Sequence, residues 1–260
     1  MPTEGVWTYA VVESDAAEPR LSGLVGVSGE PIRAVTSTGL TAVVGTVGLD
    51  QFGEDGLRRN LEDLDWLAAT ARAHDAVISA IARFGPVVPM RMATVYLDDE
   101  RVSELLEARH DDFIAALRHV TARAELGVKA YADPEALAKQ QDSAGGGAGE
   151  KMSGTAYLMR RRRALAANDE AFRVAAEHAD RIHARLLSHA VDGKRKPASD
   201  RSLSGRSDWT VLNGTYLVDT EGIDGFRALV ASVARDSPGI ELEVTGPWLP
   251  YSFAGDVVSS

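Results

Sequence analysis

The sequence contains no cysteine. That excludes disulfide bridges, thiolate metal sites and a cysteine nucleophile, and it fits a reducing cytoplasm. No stretch approaches the roughly 20 apolar residues that a membrane-spanning helix needs. The opening MPTEGVWTYAVVESD has no basic start and carries acids early, so no signal peptide and no membrane partner are expected. Net positive charge is absent too. A formal charge of −10 argues against a general nucleic-acid binder, which needs net or clustered basic groups. Lysine is scarce and aromatic residues make up only 6% of the chain, yet three of them fall in TGPWLPYSF, residues 245–253. What remains, 45% hydrophobic and 25% charged over 260 residues, suits a soluble folded protein of one large or two ordinary domains.

Periodicity divides the chain. VWTYAVV, residues 6–12, reads as a strand, and residues 31–47 as two strands around a turn near Thr38-Gly39. The second of these is almost continuously apolar, as a buried central strand would be. From Gly56, Leu57, Leu61, Leu64, Leu67, Ala71, Val77, Ile78 and Ile81 recur at helical spacing towards Phe84. Residues 90–97 alternate as a strand. Asp98 and Asp99 cap a helix that carries Val102, Leu105, Leu106, Phe113, Ile114 and Leu117 on one face. The second half reads as a strand (124–132), a long Ala/Arg-rich helix (155–189), a short return strand, a strand in DWTVLNGTYLVD, a helix in IDGFRALVASVARD and a last strand in GIELEVTGPW. This predicts an α+β fold of two domains. Residues 1–121 form an N-terminal α+β domain. Residues 122–260 form a C-terminal ferredoxin-like domain of order βαββαβ, with an elongated first helix and an aromatic and proline-rich terminal strap.

Catalytic patterns are missing. The run GGGAGEKMSG sets Glu150 where a phosphate-binding loop needs its lysine, so it reads as a linker. Arg160 to Arg163 are consecutive on a helix and point in four directions. The six histidines show no metal-ligand spacing, and no G-x-S-x-G elbow occurs. No catalytic residue, cofactor or metal is expected. Arg91 stands in an apolar strand pattern, where an arginine pairs with an acid at a domain seam. Trp248, Pro250, Tyr251 and Phe253 have the character of core closure, since aromatics bury about 150–250 Å² each. Any part of that segment left exposed becomes a binding surface.

Five segments resemble the GvpL/GvpF family of gas vesicle proteins. GPWLPYSF is similar to its terminal G-P-W-P-P-Y-S-F signature, PVVPMRMATVY to P-V-L-P-x-R-F-G-T-V, and ELGVKAY to E-[WL]-x-V-K-[VA]. SGTAYLMRRRRA, which holds Tyr157 and Arg160, resembles S-G-x-x-Y-L-x-x-[RK], and NGTYLVD resembles N-x-[AT]-Y-L-V. Their order and spacing match along nearly the whole chain. Departures are Met92-Ala93 for Phe-Gly and Leu249 for Pro.

The resemblance implies a cytoplasmic accessory or minor structural protein of gas vesicles, the gas-filled protein shells that give some microbes buoyancy. It implies contact with the very apolar shell protein GvpA and with other accessory Gvp proteins during nucleation. On this basis the expected role is a non-enzymatic assembly factor that binds GvpA and limits its aggregation. The alternative is a small-molecule-binding or enzymatic ferredoxin-like protein. Candidates for partner binding or for the strap are Trp248, Pro250, Tyr251, Phe253, Arg91, Tyr157 and Arg160.

Overall fold

The computed structural model describes residues 3–14, 21–133, 173–196 and 209–254. The chain is mixed α/β and forms two compact units. One comprises Met1–Ala124 with Trp248–Ser260, the other Glu125–Pro247. Each unit holds one sheet.

In the first unit, β1 (Glu4–Glu13), β2 (Ile32–Ser37), β3 (Leu40–Gly48), β4 (Val88–Pro89) and β5 (Val95–Tyr96) pair antiparallel in the order β2-β3-β1-β4, with β5 also on β1. Thr38 (φ 51°) and Gly39 (φ 81°) turn β2 into β3. Positive φ at both central residues suits the right-handed twist of a tight hairpin. All eight interior residues of β1 are buried. That requires cover on both faces of the sheet. On one face, Trp7, Tyr9, Ala10 and Val12 meet Val77, Ile78 and Ile81 of α3 (Leu64–Ala82). On the other, Val6 and Val11 meet Val102 and Leu106 of α4 (Asp99–Ala108) and Phe113 and Leu117 of α5 (His110–Val120). Each fully buried Leu, Val or Phe side chain contributes roughly 1.5–3 kcal/mol.

A bulge in β1 reorganises its edge. Register shifts between Thr8 and Ala10, so Tyr9 and Ala10 point to the same face. Opposite the bulge, residues 90–94 leave the sheet in a turn. Met90 N donates to Tyr9 O (2.8 Å), Thr8 N to Thr94 O (3.0 Å), and Ala93 takes φ 67°. The alternating strand expected over residues 90–97 is therefore two short strands, β4 and β5. The widened edge of β1 cannot pair with an unbroken neighbour.

Two expected helices are also divided. The periodic run from Gly56 follows α1 (Leu49–Phe52) and lies in α2 (Glu54–Asn60) and α3. The carboxylate of Asp63 accepts from Asp65 N (2.9 Å) and Trp66 N (3.2 Å) and starts α3 afresh. Such a cap is worth about 1 kcal/mol. Leu61 and Leu64 then face solvent rather than the core. Likewise α4 and α5 separate at Arg109 (φ −116°, ψ 22°). Both pieces still turn an apolar side to the sheet.

In the second unit, β6 (Arg123–Ala132), which begins two residues before the unit, is joined by β7 (Asp192–Arg195), β8 (Trp209–Asp219) and β9 (Ile240–Trp248) in the order β7-β8-β6-β9. A helix is described over residues 173–187, labelled α6, and α7 spans Ile223–Arg235. Ala175, Ala179, Ile182 and Leu186 of α6 and Phe226, Val230 and Val233 of α7 share one core with Leu126, Val128 and Ala130 of β6. The spacing 175, 179, 182, 186 is a helical stripe, and its alanines let the helix approach the sheet closely.

Candidate partner-binding surface

The terminal segment is built into the first unit. Leu249 packs against the Trp7 and Tyr9 cluster, whereas Ala254 lies in the cluster on the opposite face of the sheet. Between them Pro250 is buried, and α8 (Tyr251–Ala254) touches β4 and α5. The segment thus passes the edge strand β4 and covers it, which blunts an edge that could otherwise pair with another chain. Phe253 is 7% exposed and lies against His119, with ring centroids 6.5 Å apart. Three short-range bonds fix the backbone: Tyr251 N to Leu249 O (2.8 Å), and Phe253 N and Ala254 N to Pro250 O (both 3.1 Å). The Tyr251 hydroxyl donates to Asp75 Oδ1 of α3 at 3.2 Å. Burial, and then the Asp75 carboxylate, push its pKa up, so it stays a neutral phenol donor.

Trp248 departs from the expectation of core closure: it is 60% exposed. It ends β9, beyond the point where the second unit's core takes up Ile240, Leu242 and Val244, and the first unit's core receives Leu249 instead. Arg91 also differs from expectation. It sits in the turn between β4 and β5 rather than in a strand, and its carbonyl accepts from Thr94 N and Oγ1. Its side chain is exposed and pairs with no acid among the described residues. A residue in a turn has no facing strand to supply one. Tyr157, Arg160 and the glycine run lie outside the described residues. Of the candidates, the fold therefore brings together Trp248, Pro250, Tyr251 and Phe253.

Buried polar groups under this segment were not signalled by any motif. Trp7 Nε1 donates to His74 Nδ1 (3.0 Å), so Nδ1 is unprotonated and Nε2–H donates to Met90 O (3.1 Å). The ring stacks on Tyr9 at 5.3 Å. Burial holds the His74 pKa below its ordinary value, against the opposing pull of the Met90 carbonyl. Beside it, Tyr9 donates to Glu30 Oε1 (2.5 Å) and accepts from Val27 N (2.8 Å), while Ser28 N and Oγ donate to Glu30 Oε2 (both 2.8 Å). The carboxylate lies so close to Gly26 and Gly45 that a Cβ there would fall 1.9 Å and 2.3 Å from Oε1. The partners are 67 and 21 residues apart, beyond any local pattern. Trp7 and Tyr9 are fully buried and His74 is 3% exposed. Groups sealed in this way order the loop over residues 21–31 and the β4 edge rather than meet a substrate.

In the second unit, His183 Nδ1 and the Tyr216 hydroxyl lie 2.8 Å apart. Burial, and then Arg195, lower the His183 pKa, and Arg195 itself pairs with Asp180 at 2.7 Å. Among the described residues no cluster of three or more His, Asp or Glu could hold a metal ion, and no helix is long and apolar enough to cross a membrane.

Residues 5–255 match the family described as gas vesicle synthesis protein GvpL/GvpF. Gas vesicle protein L of Streptomyces sp. (strain CB03234) is 43% identical, covering 96% of this chain and 92% of that protein. Gas vesicle protein F of the same strain is 27% identical over 95% and 98% of the two chains. The crystal structure of the gas vesicle protein GvpF from Anabaena sp. PCC7120 superposes with a TM-score of 0.66 at 17% identity, covering 96% of each chain. That likeness extends to the fold, and the sequence match to the family over nearly all of the chain. The chain belongs to the gas vesicle synthesis protein GvpL/GvpF family.

Proposed function

We propose that this protein is a non-enzymatic assembly factor of gas vesicles that binds the apolar shell protein GvpA during nucleation and limits its aggregation, alongside other accessory Gvp proteins in the cytoplasm. A subunit destined to form an apolar wall is prone to associate wrongly before assembly. A soluble partner of charge −10 that covers its apolar surface keeps it dispersed. The observation that carries this reading is Trp248. It is exposed, and the residues that follow it, Pro250 and Phe253, are buried in the first unit. A preordered aromatic side chain loses little entropy on binding and is the commonest kind of interface hot spot.

The proposal places the main contact in the part of the chain from residue 122 onwards, read as a ferredoxin-like domain. Support comes from the strand order β7-β8-β6-β9 and from two helices sharing one core with that sheet. The higher identity to the L protein than to the F protein of one strain, 43% against 27%, favours an L-type role. The absence of catalysis is argued from burial. Tyr9 and His74, whose pKa values are shifted, lie where no substrate reaches them.

The test is capture of GvpA by full-length protein carrying Trp248→Ala. Binding should weaken at least tenfold while the melting temperature falls by only a few degrees. Equal capture by wild type and variant removes Trp248 from the contact, and no capture by wild type removes the assembly reading itself.

A further inference from the structure

A groove lies between α6 and α7 in the second unit, remote in function from anything assigned above. It encloses about 280 Å³ and is lined by His178, Arg181, Ile182, Arg185, Val233, Asp236 and Ser237. Ile182 and Val233, each 2% exposed, give it an apolar floor. The lining residues of α6 stand at i, i+3, i+4 and i+7 and extend for about 10 Å along the helix axis, two turns of a facing helix.

Its charges are unequally engaged. Arg185 is paired with Asp236 (2.8 Å), Asp180 with Arg195 (2.7 Å), and Glu177 with Arg173. Arg181 has only a long bond from Nε to Glu177 O (3.4 Å), and its two Nη groups meet no acceptor among the described residues. Beside it, Ser237 is 6% exposed and its hydroxyl makes no hydrogen bond, although the residue lines the groove. The Ser237 hydroxyl is not sealed: among the described residues the buried hydroxyls that lack a partner are those of Thr8 and Thr215, so Ser237 Oγ reaches solvent from the groove wall. A free guanidinium fork and an unpartnered donor over an apolar floor together define a receptor for a carboxylate carried on an apolar segment.

We propose that this groove docks an acidic amphipathic helix of a partner protein, with one carboxylate seated on Arg181 and Ser237 and an apolar residue on Ile182 and Val233. Three acids around the groove are already paired, so the net invitation is to negative charge, against the acidic balance of the whole chain. This rests on the reading that the protein works by binding other proteins, and it names the chemistry that one such partner must present.

The test uses two fluorescein-labelled peptides and fluorescence polarisation on the full-length protein. Both are 16-residue amphipathic helices with leucine on one face. One carries glutamate on the other face, and its counterpart carries lysine. The glutamate peptide should bind saturably and the lysine peptide should not. Arg181→Glu should weaken the glutamate peptide at least tenfold and gain affinity for the lysine peptide. Ser237→Ala should weaken the glutamate peptide about threefold, and Arg58→Glu on exposed α2 should change nothing. Circular dichroism of each variant establishes that it is folded. Absence of saturable binding, equal binding of both peptides, or full binding by Arg181→Glu overturns the proposal. So does displacement of the peptide by 10 mM acetate, which would make a small carboxylate sufficient. Those failures with GvpA capture intact remove only the groove, whereas failed capture by the wild-type protein removes the assembly reading.

Discussion

The terminal segment contains two aromatic side chains five residues apart whose truncation should have opposite consequences. Phe253 is 7% exposed among β4, α5 and the core, so Phe253→Ala removes buried area and leaves a cavity. Truncations of that kind cost about 3–5 kcal/mol. Trp248 is 60% exposed, so only the remaining two-fifths of its surface is covered. At about 250 Å² for a large aromatic and about 25 cal/mol per Å², that is at most about 2.5 kcal/mol, and no closed cavity forms. Since alanine keeps part of the contact, about 1–2 kcal/mol is expected. For a chain of this size 1 kcal/mol moves Tm by about 2–4 °C. Scanning calorimetry should therefore show a fall of roughly 10 °C for Phe253→Ala and only a few degrees for Trp248→Ala. Equal losses in the two variants would refute the division of the segment into an anchor and an exposed contact. A loss below 1 kcal/mol for Phe253→Ala would show that the segment is not anchored.

Acid should weaken the protein. His74 is held neutral by burial, so its pKa is lower folded than unfolded; the unfolded chain binds more protons between the two values. The His74 contribution is intact above its unfolded pKa of about 6.5 and is lost as pH falls below it. His178 and His183, also lowered, act in the same direction. Urea midpoints at pH 7.5, 6.5 and 5.5 should decline, and His74→Phe should flatten part of that slope; an unchanged slope would count against the assignment. Gly45→Ala should displace the Glu30 carboxylate, because its Cβ would lie 2.3 Å from Oε1. Overpacking of that kind costs about 1–3 kcal/mol, and a variant as stable as wild type in urea would show that the carboxylate can move freely. Asp63→Ala removes the α3 cap and should cost about 1 kcal/mol by the same measurement.

What was legible in the sequence depended on distance along the chain. The β2-β3 hairpin, the inward faces of α4, α5 and α7, and the buried run of β1 follow from neighbours two to four residues apart. The break of α4 at Arg109 was not legible, because the apolar spacing of Val102, Leu106, Phe113 and Leu117 survives it. Neither was the division of residues 90–97. Alternation describes a strand only if a straight partner exists, and the partner β1 bulges at Tyr9. Trp248 shows the same limit. Its composition predicts burial, but burial is decided by which core the chain has reached at that residue.

The same distinction bears on why the shifted groups support a binding role. A perturbed pKa in a cleft marks a candidate for chemistry; a perturbed pKa in a sealed core marks the cost of ordering something. In the first unit, His74 fastens β1 to the β4 turn through Trp7 and Met90, and Glu30 fastens the loop over residues 21–31 to β1 through Tyr9. Both therefore act on the edge and loop of one sheet. That sheet edge is then covered by Pro250 and Phe253, which leave Trp248 projecting. The buried polar groups thus order the edge and the loop of one sheet, against which Leu249 packs. A catalytic scaffold would instead hold a titratable group where a substrate could reach it.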